Sequence, residues 1–439
     1  MAIDNFPTAL QPIIQQNFLE REFRDGLESV LGYRQAATPE PFPTNIGETI
    51  TKTRPGLKTP VETPMSASGN TNLDNGLTAT TWTVEQFTAT LAMYGDTIDL
   101  NTVTQKVGIV KQFLQNAKTN GVQGGQSVDR IARNRLFASY LGGNSRVRTT
   151  LGSPAATISV DDITGFANVL VNGVPTPVSS TNTLAVTVGS NVYQLQSIAA
   201  DGSNVSTAFK GVSGTLTFSS NVTVADATAG NAVVSSFAPT ILRPSASSTF
   251  AGLKATDTFT MSIALDAVTQ LRNNAVPAIN GYYNCHLDPT SARQLFADPD
   301  FKILFQGQDA SKEFRMGRVI ELLDLRFIPT NEAPIISHPT LSGVKVRHPI
   351  ILGQEALIEC QFEGEMDDDV APNGAIIDMV DGVVHTTRPP LDRLQQIIAQ
   401  SWYWIGDFAV PTDFTTNSNI VPTASQAYFK RGVVVQHVG

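Results

Sequence analysis

From Pro39 to Asp99, about sixty residues, the chain is patterned as strand but carries too little apolar material to build a core. The outgoing arm reads Gly47-Glu-Thr-Ile-Thr-Lys-Thr-Arg54, and the tip, Pro60 to Gly76, is nearly free of large apolar residues. The return arm, Thr80 to Met93, alternates Phe87, Ala89, Leu91 and Met93 with Thr88, Thr90 and Ala92. That period of two marks a half-buried strand. A lone two-stranded ribbon of this length is marginal in water, and its open edges invite pairing with another chain. The expectation is that a neighbouring copy supplies the surface beneath the apolar stripe, which makes the ribbon an assembly device.

The bulk numbers narrow the remaining classes. With 439 residues, 41% of them hydrophobic, the chain is globular and of about three-domain length. No segment approaches the ~20 consecutive apolar residues of a membrane span. Met1 to Thr8 lacks the basic region and apolar core of a secretory signal. Cys285 and Cys360, far apart, form neither a disulfide framework nor a metal spacing, so both are expected as reduced, buried thiols of a cytosol-made protein. A formal charge of −9 argues against gripping nucleic acid, which needs clustered Lys and Arg.

Residues 9–32 are expected to be helical after Pro12, with Ile14, Phe18, Leu27, Val30 and Leu31 as a broken apolar stripe and Gly32 as a stop. The charged middle, Glu20 to Asp25, suits an arm lying over a surface better than a core helix. After the ribbon, Asp99 or Asn101 can cap a helix whose positions Val103, Val107, Val110, Leu114 and Ala117 recur at helical spacing. Gly121, Gly124 and Gly125 interrupt or bend it. A second run, Ser127 to Leu141, carries Val128, Ile131, Ala132, Leu136 and Tyr140 on one side and ends at Gly142-Gly143.

Between Leu151 and Phe250 the composition changes. Only Asp161, Asp162, Asp201, Lys210, Asp226 and Arg243 are charged there, six residues in a hundred against 16% for the chain. Strand-sized pieces (Ala167–Val171, Leu184–Val188, Val192–Ile198, Thr215–Phe218, Ala232–Phe237) alternate with turn chemistry such as Asn172-Gly173 and Asp201-Gly202. This predicts a small all-β module, a barrel or sandwich, inserted into a mixed host. The host resumes with a helix over Thr260–Asn273, a strand over Asn280–Leu287 and a helix over Thr290–Phe296. Beyond Phe314 strands and turns follow, with one more helix expected over Pro390–Ser401.

Chemistry-bearing constellations are absent from the pattern. His286, His338, His348, His385 and His437 show no pair at metal-ligand spacing. Cys285-His286 with Asp288 suggests a thiol nucleophile only weakly, because adjacent strand residues point to opposite faces. The sequence Gly121-Val-Gln-Gly-Gly-Gln lies within helix rather than after a strand, which disfavours a nucleotide site. Glu363 to Asp369 is acidic but lacks the alternating spacing of a calcium loop, so a solvated turn is favoured. Arg130, Arg133, Arg135, Arg146 and Arg148 fit either contact with DNA or acidic partners, or helix-surface ion pairing. No enzyme, cofactor or metal is expected.

The order of pieces resembles the major capsid proteins of tailed bacteriophages, with their Hong Kong 97-like shell fold. Three stretches carry the likeness: Thr81 to Leu100, where the return arm runs toward a helix; Ser127 to Leu141, in the place of the family's spine helix; and Met316 to Ala333 followed by Ile350 to Leu357, which resembles the strand-and-turn section of the axial domain. The resemblance implies an α+β fold with an N-terminal arm (1–45), an extended loop (46–98), a peripheral domain with the spine helix (99–150), an inserted all-β domain (151–250), a peripheral helix and axial domain (251–395), and a return to the peripheral domain (396–439). It implies a shell subunit forming hexamers and pentamers of an icosahedral virion head. That head would enclose double-stranded DNA without sequence-specific binding, assemble in the host cytoplasm, and engage scaffolding, portal and decoration proteins, with no membrane. Lys52, Arg54, Lys58, Glu62, Trp82, Phe87 and Leu91 would then belong to the extended-loop interface, and Arg130, Arg133, Arg135, Leu136 and Tyr140 to the spine helix. Some relatives join a loop lysine to a neighbour's asparagine. Lys52 and Lys58 sit in the right element, but no partner Asn or catalytic Glu is identifiable. Two other readings stay open: a surface-binding, adhesin-like protein using 151–250, and the shell of a bacterial encapsulating compartment.

Overall fold

The computed structural model describes residues 5–15, 18–28, 32–44, 47–62, 82, 84–103, 108–171, 174–201, 211–306, 321–338, 340–363, 374–411 and 427–439. The chain opens with helices α1 (Gln11–Gln15) and α2 (Phe18–Glu28) and a short strand β1 (Ala37–Pro39). The ribbon strands β2 (Thr49–Pro55) and β3 (Val84–Thr90) follow, then β4 (Ala92–Asn101) and the 33-residue helix α3 (Ile109–Leu141).

α3 is continuous through Gly121, Gly124 and Gly125, which do not break it. These glycines allow close approach instead. A Cβ on Gly121 would stand 2.3 Å from the Phe23 carbonyl oxygen, one on Gly125 2.8 Å from that of Leu27, and one on Gly124 3.3 Å from the Trp402 ring. Gly26 of α2 answers from the other side, 2.6 Å from the Lys118 carbonyl oxygen. Two helix backbones therefore nearly touch, and any side chain there would wedge them apart. α2 is accordingly a core helix and not a surface arm: Phe23 and Leu27 are fully buried with Tyr33, while Arg21, Arg24, Asp25 and Glu28 point outward. The helix begins at Ile109, because Asp99 and Asn101 are still in strand. Its buried face runs through Phe113, Ala117, Val128, Ala132 and Leu136; Val103 and Val110 of the expected stripe are exposed, and Val107 lies outside the described residues.

The next strands are β5 (Asn144–Arg146), β6 (Ala155–Val160), β7 (Asn168–Val171), β8 (Val174–Pro177), β9 (Leu184–Val188), β10 (Asn191–Ala200), β11 (Gly214–Val222) and β12 (Ala232–Ser235). Six of them pair antiparallel in the order β5-β12-β9-β10-β11-β6. Val147, just past β5, bridges antiparallel to Val160 of β6, which closes the sheet into a barrel. Ile158, Val160, Leu184, Val186, Val188, Leu195, Leu216 and Val233 fill it. The barrel thus starts at Asn144, seven residues before the composition shifts, and β7 with β8 forms a side hairpin.

Beyond β13 (Ile241–Leu242) come α4 (Met261–Asn273), β14 (Tyr283–Leu287), α5 (Pro289–Ala297), α6 (Pro299–Gln306), β15 (Glu321–Leu322), β16 (Leu325–Pro329), β17 (Ile335–Ser337), β18 (Lys345–Arg347), β19 (Ile350–Leu352) and β20 (Leu357–Gln361). The chain ends through β21 (Ile376–Val380), β22 (Val383–Arg388), β23 (Ile397–Ala409), β24 (Gly432–Val435) and β25 (His437–Val438). A mixed sheet, β13-β24-β19-β14-β16-β15, packs on α4. A second sheet is centred on β23, whose Trp402, Trp404 and Phe408 join α2 and α3 in one core. No helix covers Pro390–Ser401: a turn held by the Asp392 carboxylate, which accepts from the amides of Gln396 and Ile397, leads into β23. The whole is α+β.

Candidate assembly interface

The ribbon pairs Thr49–Pro55 with Val84–Thr90 in strict antiparallel register. Ala92–Asn101 has left it and lies in the main sheet against β23, so the independent ribbon is shorter than 46–98. Its base is also not bare. Phe87 and Ala89 are buried against Phe42, Ile358, Cys360 and Ala409 of the same chain, with Ile50 and half-buried Leu91 packed alongside. This corrects the expectation that a neighbour must cover the Phe87–Met93 stripe. Met93 alone of that series is strongly exposed.

Charges fix the base further. The Glu40 carboxylate accepts from Lys52 Nζ at 2.8 Å and pairs with the Arg54 guanidinium, which also lies over the Phe87 ring at 5.6 Å. Asp407 accepts from the Thr90 N–H at 3.0 Å; burial pushes its carboxyl up, and the nearby Arg135 charge opposes that shift. Lys52 and Arg54 are thus clamps within the subunit.

Past the last pair, Pro55 with Val84, the environment reverses. Leu57, Val61, Trp82 and Val84 are exposed by 51%, 78%, 52% and 37%. Lys58 and Glu62 are exposed beside them. These four exposed apolar side chains are the candidates for an interface on the ribbon. Leu57 and Val61 escaped the sequence reading, which took the tip, Pro60–Gly76, as nearly free of large apolar residues. Of the tip, Pro60–Gly76, residues 63–76 lie outside the described residues.

The spine-helix candidates divide differently. Leu136 and Tyr140 are core residues, the Tyr140 hydroxyl donating to the Ala356 carbonyl at 3.0 Å. Arg130 makes a two-pronged pair with Glu332, at 2.9 and 3.0 Å, and Arg133 reaches the same carboxylate at 3.2 Å. The hydrogen bond from Arg130 holds Glu332 below the usual carboxylate range. Arg146 pairs with Asp161, and Arg148 with Asp201 at 2.5 Å. These four arginines are engaged with carboxylates of their own chain, which favours the ion-pairing reading over a DNA-facing one. Cys285 is fully buried and desolvation raises its thiol pKa steeply, so it is no nucleophile. The acidic run after Glu363 lies outside the described residues. Among the described residues, no group of three or more His, Cys, Asp or Glu is placed to hold a metal ion, and no helix is long and apolar enough to cross a membrane.

No family model matches the sequence, and no curated protein matches it. Solved structures with a similar course of chain include the capsid of Ralstonia phage GP4 (11% identity, 93% of this chain and 91% of that one, TM-score 0.48). The capsid of cyanophage P-SCSP1u is similar at 10% identity over 91% and 86% of the two chains, with a TM-score of 0.45. The capsid asymmetric unit of cyanophage Pam1 is similar at 10% identity over 90% and 86%, with a TM-score of 0.44.

Proposed function

We propose that the chain is a shell subunit of a tailed-bacteriophage head, with a Hong Kong 97-like plan and the barrel as an insertion. Hexamers and pentamers of it would close into an icosahedral container for double-stranded DNA in the host cytoplasm, with scaffolding, portal and decoration proteins as further partners. The observation that carries this reading is the ribbon: rigidly clamped at its base by Glu40, Phe87 and Asp407, and apolar and exposed at its far end. A clamped base gives the far end a fixed direction, and a second copy is the partner that symmetry supplies. Repeated around a closed shell, individually weak ribbon contacts act together and sum to a durable particle.

Negative-stain microscopy of the purified protein tests the proposal. Capsomers or closed particles are expected; a field of separate, compact single subunits at high concentration overturns it.

A further inference from the structure

All five histidines are buried, and they divide by what their ring nitrogens touch. His437 meets Ser291 Oγ at 2.7 Å and the Val438 carbonyl at 3.0 Å, His348 meets the Pro334 carbonyl at 3.1 Å, and His338 meets that of Leu253 at 3.1 Å. His286 of β14 and His385 of β22 differ. Each is 0% exposed, and among the described residues neither nitrogen of either ring has a hydrogen-bond partner. What each ring has is an aromatic lid from the N-terminal segment. Tyr33 stacks on His286 at 5.1 Å between centroids and 19° between planes, and Phe23 stacks on His385 at 4.7 Å and 28°.

We propose that His286 and His385 form an acid-sensitive latch, which holds residues 18–28 and 32–36 against the rest of the chain at neutral pH and releases them on protonation. A neutral ring stacked under an aromatic lid tolerates burial; an imidazolium with no acceptor does not, and it reaches water only if the lid lifts. Burial lowers both rings to about 4, against about 6.5 in the open chain. The sign follows: the contribution of these rings to holding the segment is complete above about pH 6.5 and is lost as pH falls toward 4.

Burial is the cause that lowers both rings. Around Tyr33 stand Asp129, Asp288, Cys285 and Arg133. The Asp129 carboxylate already accepts from the amides of Gly32 and Arg34, both at 3.0 Å. Asp378 is the cross-strand neighbour of His385, and its carboxyl is itself pushed up by burial and by the nearby Glu20 of α2. The segment is also tied by the buried Arg34–Glu359 pair at 2.7 Å, by the Arg34 guanidinium donating to the Asp381 carbonyl at 2.5 Å, and by the packing of Phe23 and Leu27 in the core with α3.

Amide hydrogen exchange on the full chain between pH 7 and pH 4, corrected for intrinsic rates, tests the latch. Peptides covering 18–36 are expected to lose at least tenfold protection by about pH 5 while barrel peptides keep theirs. In the variant His286→Phe/His385→Phe, which keeps the stacking and removes the titration, the loss is expected at least one pH unit lower. Equal loss in the segment and the barrel overturns the proposal, and so does a variant that opens at the wild-type pH. If the double variant does not fold, His385→Phe alone is read in the same way, and the order of opening in the wild type decides independently.

Discussion

The barrel and the ribbon are both β-structure, both polar in sequence, and opposite in what they leave exposed. The six-stranded sheet of the barrel closes through Val147 and Val160, and its apolar residues alternate inward. The ribbon has two strands, an interior only at its base, and Leu57, Val61 and Trp82 turned to solvent at the other end. The barrel is complete within one chain. The ribbon is packed only at its base, and that base is held by clamps that the barrel does not need.

The sharpest way to break this comparison is to cut the barrel out. A fragment of residues 143–238 is expected to unfold cooperatively on heating, as a domain with its own core does; a fragment without a thermal transition would mean that the barrel, too, borrows its stability. Next in size is Phe87→Ala. Removing a fully buried ring from the ribbon base is expected to cost about 3–5 kcal/mol in denaturant unfolding. A loss below about 1 kcal/mol would mean that the base is not a core.

Within the barrel, Asp226 ties two turns together. Burial alone would push its carboxyl up, but bonds from Asn191 at 2.8 Å, the Tyr193 hydroxyl at 2.6 Å, the Ser190 amide at 3.1 Å and Thr223 at 2.9 Å outweigh this and hold it at about 2. Its contribution is therefore present above about pH 4 and is lost as pH falls through 2. Asp226→Asn is expected to cost about 2 kcal/mol at pH 7 and to flatten that acid limb in pH-dependent melting of the barrel fragment. An unchanged limb would remove the clamp from the account. Smallest in stability is Trp82→Ser, expected within about 0.5 kcal/mol because the side chain is half in water. Association should nevertheless weaken in light scattering; unchanged association would move the interface away from this residue.

Much of this was legible in the sequence, for local reasons. Low charge and regular turn chemistry outline the barrel, and helical spacing over Ser127–Leu141 gives the later part of α3. What escaped depends on distant partners. The glycines of α3 read as an interruption or a bend because their use, contact with the Phe23 and Leu27 carbonyls, lies about a hundred residues away. Ala92–Asn101 continues the alternation of the return arm, and only pairing with β23 shows where the ribbon stops. Pro390–Ser401 mixes Leu, Arg and Gln at helix-compatible spacing, yet Asp392 folds it as a turn into a strand. Glu40, ahead of the ribbon, gave no sign that it would neutralise both Lys52 and Arg54.

The claim that the ribbon is a fastening is tested most directly by sedimentation velocity of the full chain beside a version lacking Pro60–Gly76. The full chain should sediment as capsomers or megadalton particles, and the shortened one as a folded species near the 47.1 kDa of a single chain. Normal particles from the shortened chain would contradict the account, as would a full chain that stays monomeric.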